Sequence, residues 1–213
     1  MQNCTDDTVL HVAFDFDGVL INSLTSMNVS WIKTMEKLNL KYKFNEFKKY
    51  LGYPFFDVLS YLNVPIKYHY KIYNIYKKNS LKNIKYIKKY RNVSSSLKKL
   101  NEKKIKISLV TSKNKITTNR IIHTLFKNNL FDSIITLEDV NEGKPNAESI
   151  IKSCKKVNIN LNHTIYVGDM HVDYETAKNA GIRFIFAEWG YGIHKNYKLQ
   201  FSNIKDLTKY IIK

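Results

Sequence analysis

Asp15 and Asp17 stand two positions apart in FDFDGVLINS (residues 14–23), where the apolar run TVLHVAFD ends. Side chains two apart in a strand point the same way. Two carboxylates would then share one side, where like charges raise each other's pKa and oppose folding. Other apolar runs also end on reactive groups. KISLVT ends on Thr111-Ser112, and TIYVGD ends on Gly168-Asp169, with Asp173 four residues on at a helix start. Lys144 directly precedes the helical pattern PNAESIIKSCKKV.

Brought together, these carboxylates need a cation. Carboxylate oxygens completed by water and a substrate phosphate suit Mg²⁺, and the lack of His and Cys in the set argues against zinc or copper. A carboxylate is a competent covalent nucleophile. Phosphoryl transfer asks mainly for charge neutralisation, which Lys144, the Thr111 hydroxyl and N–H groups near Ser112 could supply beside the metal. Gly18 lets the chain turn away sharply and is counted with Thr111, Ser112 and Lys144 as a phosphate-binding candidate. A second, protonatable carboxylate could protonate a leaving alkoxide and then activate water.

Such a site requires strand ends on one edge. Five β-branched apolar runs, 8–15, 106–111, 133–137, 164–169 and 183–187, alternate in the later part with helical patterns. The expected fold is α/β, a doubly wound, parallel, Rossmann-like sheet with both faces covered, and ligands bind such sheets at the carboxyl ends of the strands. About 90 residues separate the first two runs, far more than any later pair. Within that gap Leu24, Met27, Trp31, Met35 and Leu38 recur at helical spacing. LGYPFFDVL (51–59) interrupts the pattern with Gly52 and Pro54, and helical patterning resumes to about residue 88. The expected organisation is a core of residues 1–21 and 89–213 with an all-helical insert, 22–88, acting as a lid.

Composition narrows the class. The chain has 213 residues, 44% of them hydrophobic, with only 7 Gly and 3 Pro, which argues against long disordered segments. The formal charge is +17, and residues 65–106 hold 14 Lys/Arg against the single acid Glu102, a net of +13. Those lysines alternate with Tyr, Ile and Leu at helical spacing, as on the solvated face of amphipathic helices. No zinc-finger, RRM or KH pattern supports nucleic acid as the partner. Cys4 and Cys154 form no CxxC or metal pattern, so a reducing, cytoplasmic setting fits. MQNCTDDT has no apolar core of a signal peptide, and no apolar run is long enough to span a membrane.

FDFDGVLINS, LVTSK, GKPNAES and YVGDMHVDYETAKNAGI resemble, in order, the four signature motifs of the haloacid dehalogenase superfamily. The helical insert after the first motif and FAEWGYG (186–192) are similar to the phosphoglycolate phosphatase branch with its C1-type cap. The resemblance implies a Mg²⁺-dependent phosphatase acting on a small phosphorylated metabolite through an aspartyl-phosphate. It implies Asp15 as nucleophile, Asp17 as general acid/base and backbone metal ligand, and Asp169 as metal ligand with Asp15. Thr111 would bind phosphate, Lys144 would steady nucleophile and phosphate, and Asp173 would serve the metal directly or through water. True dehalogenases of the superfamily lack the second Asp of the first motif, so Asp17 favours phosphate chemistry. Asn22 replaces a frequent Asp but lies beyond the catalytic pair, with little effect expected on the chemistry, and Tyr90-Arg91-Asn92 replaces a usual Tyr-Pro-Gly, which concerns the hinge.

The substrate stays open among phosphoglycolate and sugar, glycerol-type or amino-alcohol phosphates. Tyr53, Phe55 and Phe56 in the turn touch substrate or pack within the insert. The apolar turn suggests a leaving group without a large anionic end, Asp57 would favour a cationic group, and His171 is exposed or beside the substrate. Trp189 and Tyr191 read as structural. A phosphomutase of the β-phosphoglucomutase type is the alternative, although such relatives carry a basic residue in the turn and this chain has none there. A polyanion-binding role for 65–106 is the other.

Overall fold

The computed structural model describes residues 8–126, 130–193 and 196–213; Cys4 lies outside them. Strands β1 (His11–Phe14), β2 (Ile21–Asn22), β3 (Lys88–Lys89), β4 (Lys106–Val110), β5 (Ser133–Ile135), β6 (Thr164–Gly168), β7 (Arg183–Ala187) and β8 (Gln200–Phe201) form two sheets. The larger is parallel throughout, in the order β5-β4-β1-β6-β7-β8. The five apolar runs supply its first five strands. The edge strand β8 is only two residues long and carries Gln200, too short and polar to show as an apolar run.

β1 lies at the centre, with His11 opposite Lys106 and Thr164 and Phe14 opposite Leu109 and Val167. All four β1 side chains are buried, as expected of a strand covered on both faces. Helices α5 (Val93–Glu102), α6 (Lys115–Leu125) and α9 (Ile204–Ile211) cover one face through Leu97, Leu100, Ile121 and Leu207. Helices α7 (Glu148–Val157) and α8 (His171–Asn179) cover the other through Ile150, Cys154 and Ala177.

Between β1 and β4 the chain forms α1 (Leu24–Leu38), α2 (Phe44–Lys48), α3 (Phe55–Tyr61) and α4 (His69–Lys82). They share a separate apolar cluster centred on Trp31, Met35, Phe47, Leu59 and Ile72. Trp31 is fully buried, its Nε1–H donates to Tyr42 O at 2.8 Å, and its ring lies 4.4 Å from that of Phe47. The chain enters and leaves this helical layer through the antiparallel pair β2–β3, with Ile21 opposite Lys89 and Asn22 opposite Lys88.

Polar groups are also buried at the amino end of the central strands. His11 Nδ1 lies 3.1 Å from Thr164 Oγ1, and its Nε2 lies 2.7 Å from Ser108 Oγ. Burial holds the imidazole down to about 4, with Asp132 opposing weakly. No helix among the described residues is long and apolar enough to cross a membrane.

Candidate active site

The connection leaving β1 runs toward β4 on one side, and the later chain fills β6 on the other. That reversal opens a crevice at the carboxyl end of β1, where open α/β sheets bind ligands. Asp15 directly follows β1, and its N–H donates to Val167 O at 2.9 Å, so the carboxylate is fixed by a continued ladder. Asp169 follows β6 and Thr111 follows β4, whose ladder continues through Thr111 N–H to Ile135 O at 3.0 Å.

Lys144 reaches the same point from the loop before α7. Glu148 in the first turn of α7 accepts from the N–H groups of Asn141 and Glu142, both at 2.9 Å, and so shapes that loop. The Lys144 ammonium is 2% exposed and donates to Asp15 Oδ1 at 2.6 Å and Asp173 Oδ1 at 2.8 Å. Burial alone would lower its pKa, but Asp15 and Asp173 more than offset this and hold it protonated.

One oxygen from each of Asp15, Asp169 and Asp173 lies within 4.8 Å of the others, and all three residues are buried. Burial raises Asp15 to about 7 against the pull of Lys144, with Asp173 and Asp17 adding to the rise. Burial, then Asp173 and Asp15, raise Asp169 well above the carboxylate range. Among the described residues, Lys144 alone therefore leaves this cluster short of positive charge.

The three carboxylates differ in how they are satisfied. Asp173 Oδ1 accepts from Lys144 and from Tyr166 OH (3.1 Å), and its Oδ2 accepts from the N–H groups of Met170 (3.0 Å) and Asp169 (3.2 Å). It is committed to protein donors. Asp169 Oδ2 accepts from Tyr191 N–H at 2.6 Å, but its Oδ1 is buried without a partner among the described residues. An orphaned, buried carboxylate oxygen beside a second carboxylate fits a hard cation, and oxygen-only donors fit Mg²⁺ or a close relative. Gly18, at φ +92°, packs against this group, and a Cβ there would collide with the Asp169 carboxylate. Its N–H donates to Ile21 O at 2.8 Å. Gly18, counted as a phosphate-binding candidate, spends its N–H in the turn and makes room for Asp169.

Asp17 is held apart from the cluster. Its Oδ1 accepts from Ser23 Oγ at 2.5 Å, and its Oδ2 pairs with Lys113 Nζ at 3.0 Å. Lys113 lies inside LVTSK but has no role in the sequence reading; only the packing of that turn against Asp17 reveals it. Thr111 Oγ1 accepts from Lys113 N–H at 3.1 Å. Ser112 Oγ donates to Gly52 O at 2.6 Å, tying the β4 turn to the helical layer, while its own N–H has no acceptor among the described residues.

Asp15, Asp17, Thr111 and Ser112 line one cavity, whose far wall comes from the helical layer and includes Tyr53 and Phe55. Tyr53 OH also donates to Glu175 at 3.3 Å. Asp57 and His171 are not brought to this cavity. Asp57 is exposed on the first turn of α3, and His171 is exposed beside Tyr197 and Glu175. Tyr191 is more central than its position after β7 suggests. Its N–H holds Asp169, and its hydroxyl lies 2.6 Å from Ser23 N and donates to Ile21 O at 3.2 Å.

Residues 12–187 match the family model described as haloacid dehalogenase-like hydrolase. The chain is 31% identical over 192 residues to a protein named pyrophosphatase PpaX from Halalkalibacterium halodurans, covering 89% of this chain and 88% of that one. It is 28% identical over 182 residues to a phosphoglycolate phosphatase from Aquifex aeolicus, covering 84% and 85%. Its fold superposes on a haloacid dehalogenase-like family hydrolase from Streptococcus pneumoniae with a TM-score of 0.83 at 18% identity, over 95% and 98% of the two chains.

Proposed function

The chain belongs to the haloacid dehalogenase-like hydrolase family, and we propose that it is a Mg²⁺-dependent phosphatase of small phosphorylated metabolites. The observation that carries this reading is the buried Asp15–Asp169–Asp173 cluster, with one orphaned oxygen and one lysine. Relatives named phosphoglycolate phosphatase and pyrophosphatase support the same class.

In this mechanism Asp15 is the nucleophile. Lys144 holds Oδ1 and orients the carboxylate, so that Oδ2 attacks phosphorus while the bond from phosphorus to the leaving oxygen breaks. Asp17 delivers the proton that the leaving oxygen takes. Asp17 then accepts a proton from water as that water attacks the phosphorus of the aspartyl-phosphate, releasing phosphate and regenerating Asp15. Thr111 and the Ser112 N–H contact the phosphoryl oxygens. Asp15, Asp169 and the Asp17 carbonyl would hold Mg²⁺, which neutralises phosphoryl charge when bound. Asp173, with every oxygen engaged, orients Lys144 and the Asp169 turn.

The helical segment 22–88 would serve as a cap over the core, 1–21 and 89–213, excluding water and selecting the leaving group. Ser23 couples the two, because it begins the cap and donates to Asp17. The test is phosphate release from p-nitrophenyl phosphate with and without Mg²⁺. Activity should require the metal and vanish in Asp15→Asn; more than a few per cent retained would overturn the nucleophile assignment.

A further inference from the structure

The cavity wall carries cations besides the Lys144 that holds Asp15. Lys77 from α4 and Lys113 from the β4–α6 turn both line the cavity that holds Asp15 and Asp17. They approach from different layers of the molecule. Lys113 is paired with Asp17. Lys77 makes no ion pair among the described residues, and its ammonium lies 5.8 Å from the centroid of the Tyr73 ring, another lining residue. Ser80, one turn further along α4, and Asn114, which caps α6, line the same region. Asn114 spends its Oδ1 on Thr117 N–H, which leaves its amide NH₂ without an acceptor among the described residues.

Much of the remaining wall is apolar or aromatic, including Phe47, Phe55 and Val58. Lys77 is half-buried on such a wall, and an anion that enters there meets less dielectric screening than in open water. The phosphoryl group itself is provided for at Asp15, Lys144 and Thr111. Lys77 is therefore surplus to the transferred group, and it belongs to the helical layer that the proposed mechanism sets over the leaving group.

We infer that Lys77 and Lys113 form a second anion subsite, so that the substrate is a small phosphate ester or anhydride whose leaving group carries a further carboxylate or phosphate. This rests on the phosphatase reading. It replaces the expectation of a leaving group without a large anionic end. The turn 51–59 has no basic residue, but α4 brings one to the same cavity.

The test measures kcat/KM with Mg²⁺ for three substrates. Ethyl phosphate has a neutral leaving group, 2-phosphoglycolate a carboxylate, and pyrophosphate a second phosphate. Wild type should favour at least one anionic substrate over ethyl phosphate by about tenfold or more, a preference worth about 1.4 kcal/mol. In Lys77→Gln that ratio should collapse toward unity, mainly through KM, and Lys77→Arg should restore most of it. Which anionic substrate loses more identifies the carboxylate or the phosphate as the natural group. Equal treatment of charged and neutral substrates by wild type, or an unchanged ratio in Lys77→Gln, overturns the subsite while the phosphatase reading stands. No phosphate release from any substrate overturns both.

Discussion

His11 opens β1 and Asp15 follows its last residue, so one short strand carries a buried polar group at each end. At the amino end the imidazole is flanked by hydroxyls from both neighbouring strands, Ser108 and Thr164, and both ring nitrogens are satisfied. The group is neutral and its network closes. At the carboxyl end Asp15 and Asp173 share Lys144, and the neighbouring Asp169 Oδ1 has no partner among the described residues. Equal burial thus has opposite outcomes. A network that satisfies itself stabilises the fold, and one left short of positive charge stores a demand that a ligand meets.

Breaking each network should show the contrast. Lys144→Met leaves Asp15 and Asp173 buried without their cation. It should abolish phosphate release and cost about 3–5 kcal/mol in denaturant unfolding. A stable, active Lys144→Met protein would mean the carboxyl end is as self-sufficient as the amino end.

The second contrast is in metal response. Asp15 and Asp169 are raised in the metal-free fold, so the fold favours their protonated forms. Without metal, the contribution of Asp15 is fully present below the ordinary carboxylate pKa near 4 and is lost as pH rises through about 7, and that of Asp169 has the same sign. In EDTA the carboxyl end should therefore destabilise the protein as pH rises. Mg²⁺ at a hundredfold excess over its Kd should restore about 2.7 kcal/mol near neutral pH. Thermal melts of wild type and Asp169→Asn, with Mg²⁺ or EDTA, check this; the variant should not respond.

The amino end has the opposite slope. The folded pKa of His11, about 4, lies below its ordinary value of 6.5. Its contribution is present above pH 6.5 and is lost as pH falls toward 4, by no more than about 3 kcal/mol. Mg²⁺ should not alter this. Replacing His11 by Gln should flatten that acid limb, and an unchanged limb would assign it to other groups.

The smallest effect is expected at Tyr191→Phe. It removes the hydroxyl at Ser23 and Ile21 but keeps the backbone N–H on Asp169. Stability should fall by about 1 kcal/mol and kcat should fall with little change in metal affinity. A loss of metal affinity as large as in Asp169→Asn would mean that the hydroxyl, and not the N–H, positions Asp169.

The strand ends were legible because each motif is local: an apolar run followed by a polar residue fixes both the element and the edge it faces. Asp15, Thr111 and Asp169 stand at one edge for that reason, and Lys144 joins them from the loop before α7. Residues on the helical layer were not legible in the same way. Asp57 and Tyr53 are four apart near one turn, yet only Tyr53 lines the cavity, because the docking of α3 decides which way each side points. Lys77 was hidden in a run of lysines at helical spacing, and only the packing of α4 over the crevice separates it from its solvated neighbours. Tyr191 was masked because its decisive contact is a backbone N–H, which its residue type does not advertise. The glycine after Asp17 reads as a turn and a phosphate-binding candidate, and only the packing adds the close approach of Asp169 that a side chain there would block.

The β2–β3 pair has one more consequence. It clasps the two crossings between the layers side by side, with Tyr90 N–H donating to Leu20 O at 3.1 Å just beyond it. To the parallel sheet, everything from Ser23 to Ile87 is a loop whose ends are already joined. The entropic cost of such a closure grows only with the logarithm of its length, about 0.6 kcal/mol per doubling. The sheet is thus nearly indifferent to how long the intervening segment is or how it folds. A splice that keeps Ser23 on Asp17 and rejoins at Lys88 is the natural point at which to graft a different roof onto the same chemistry.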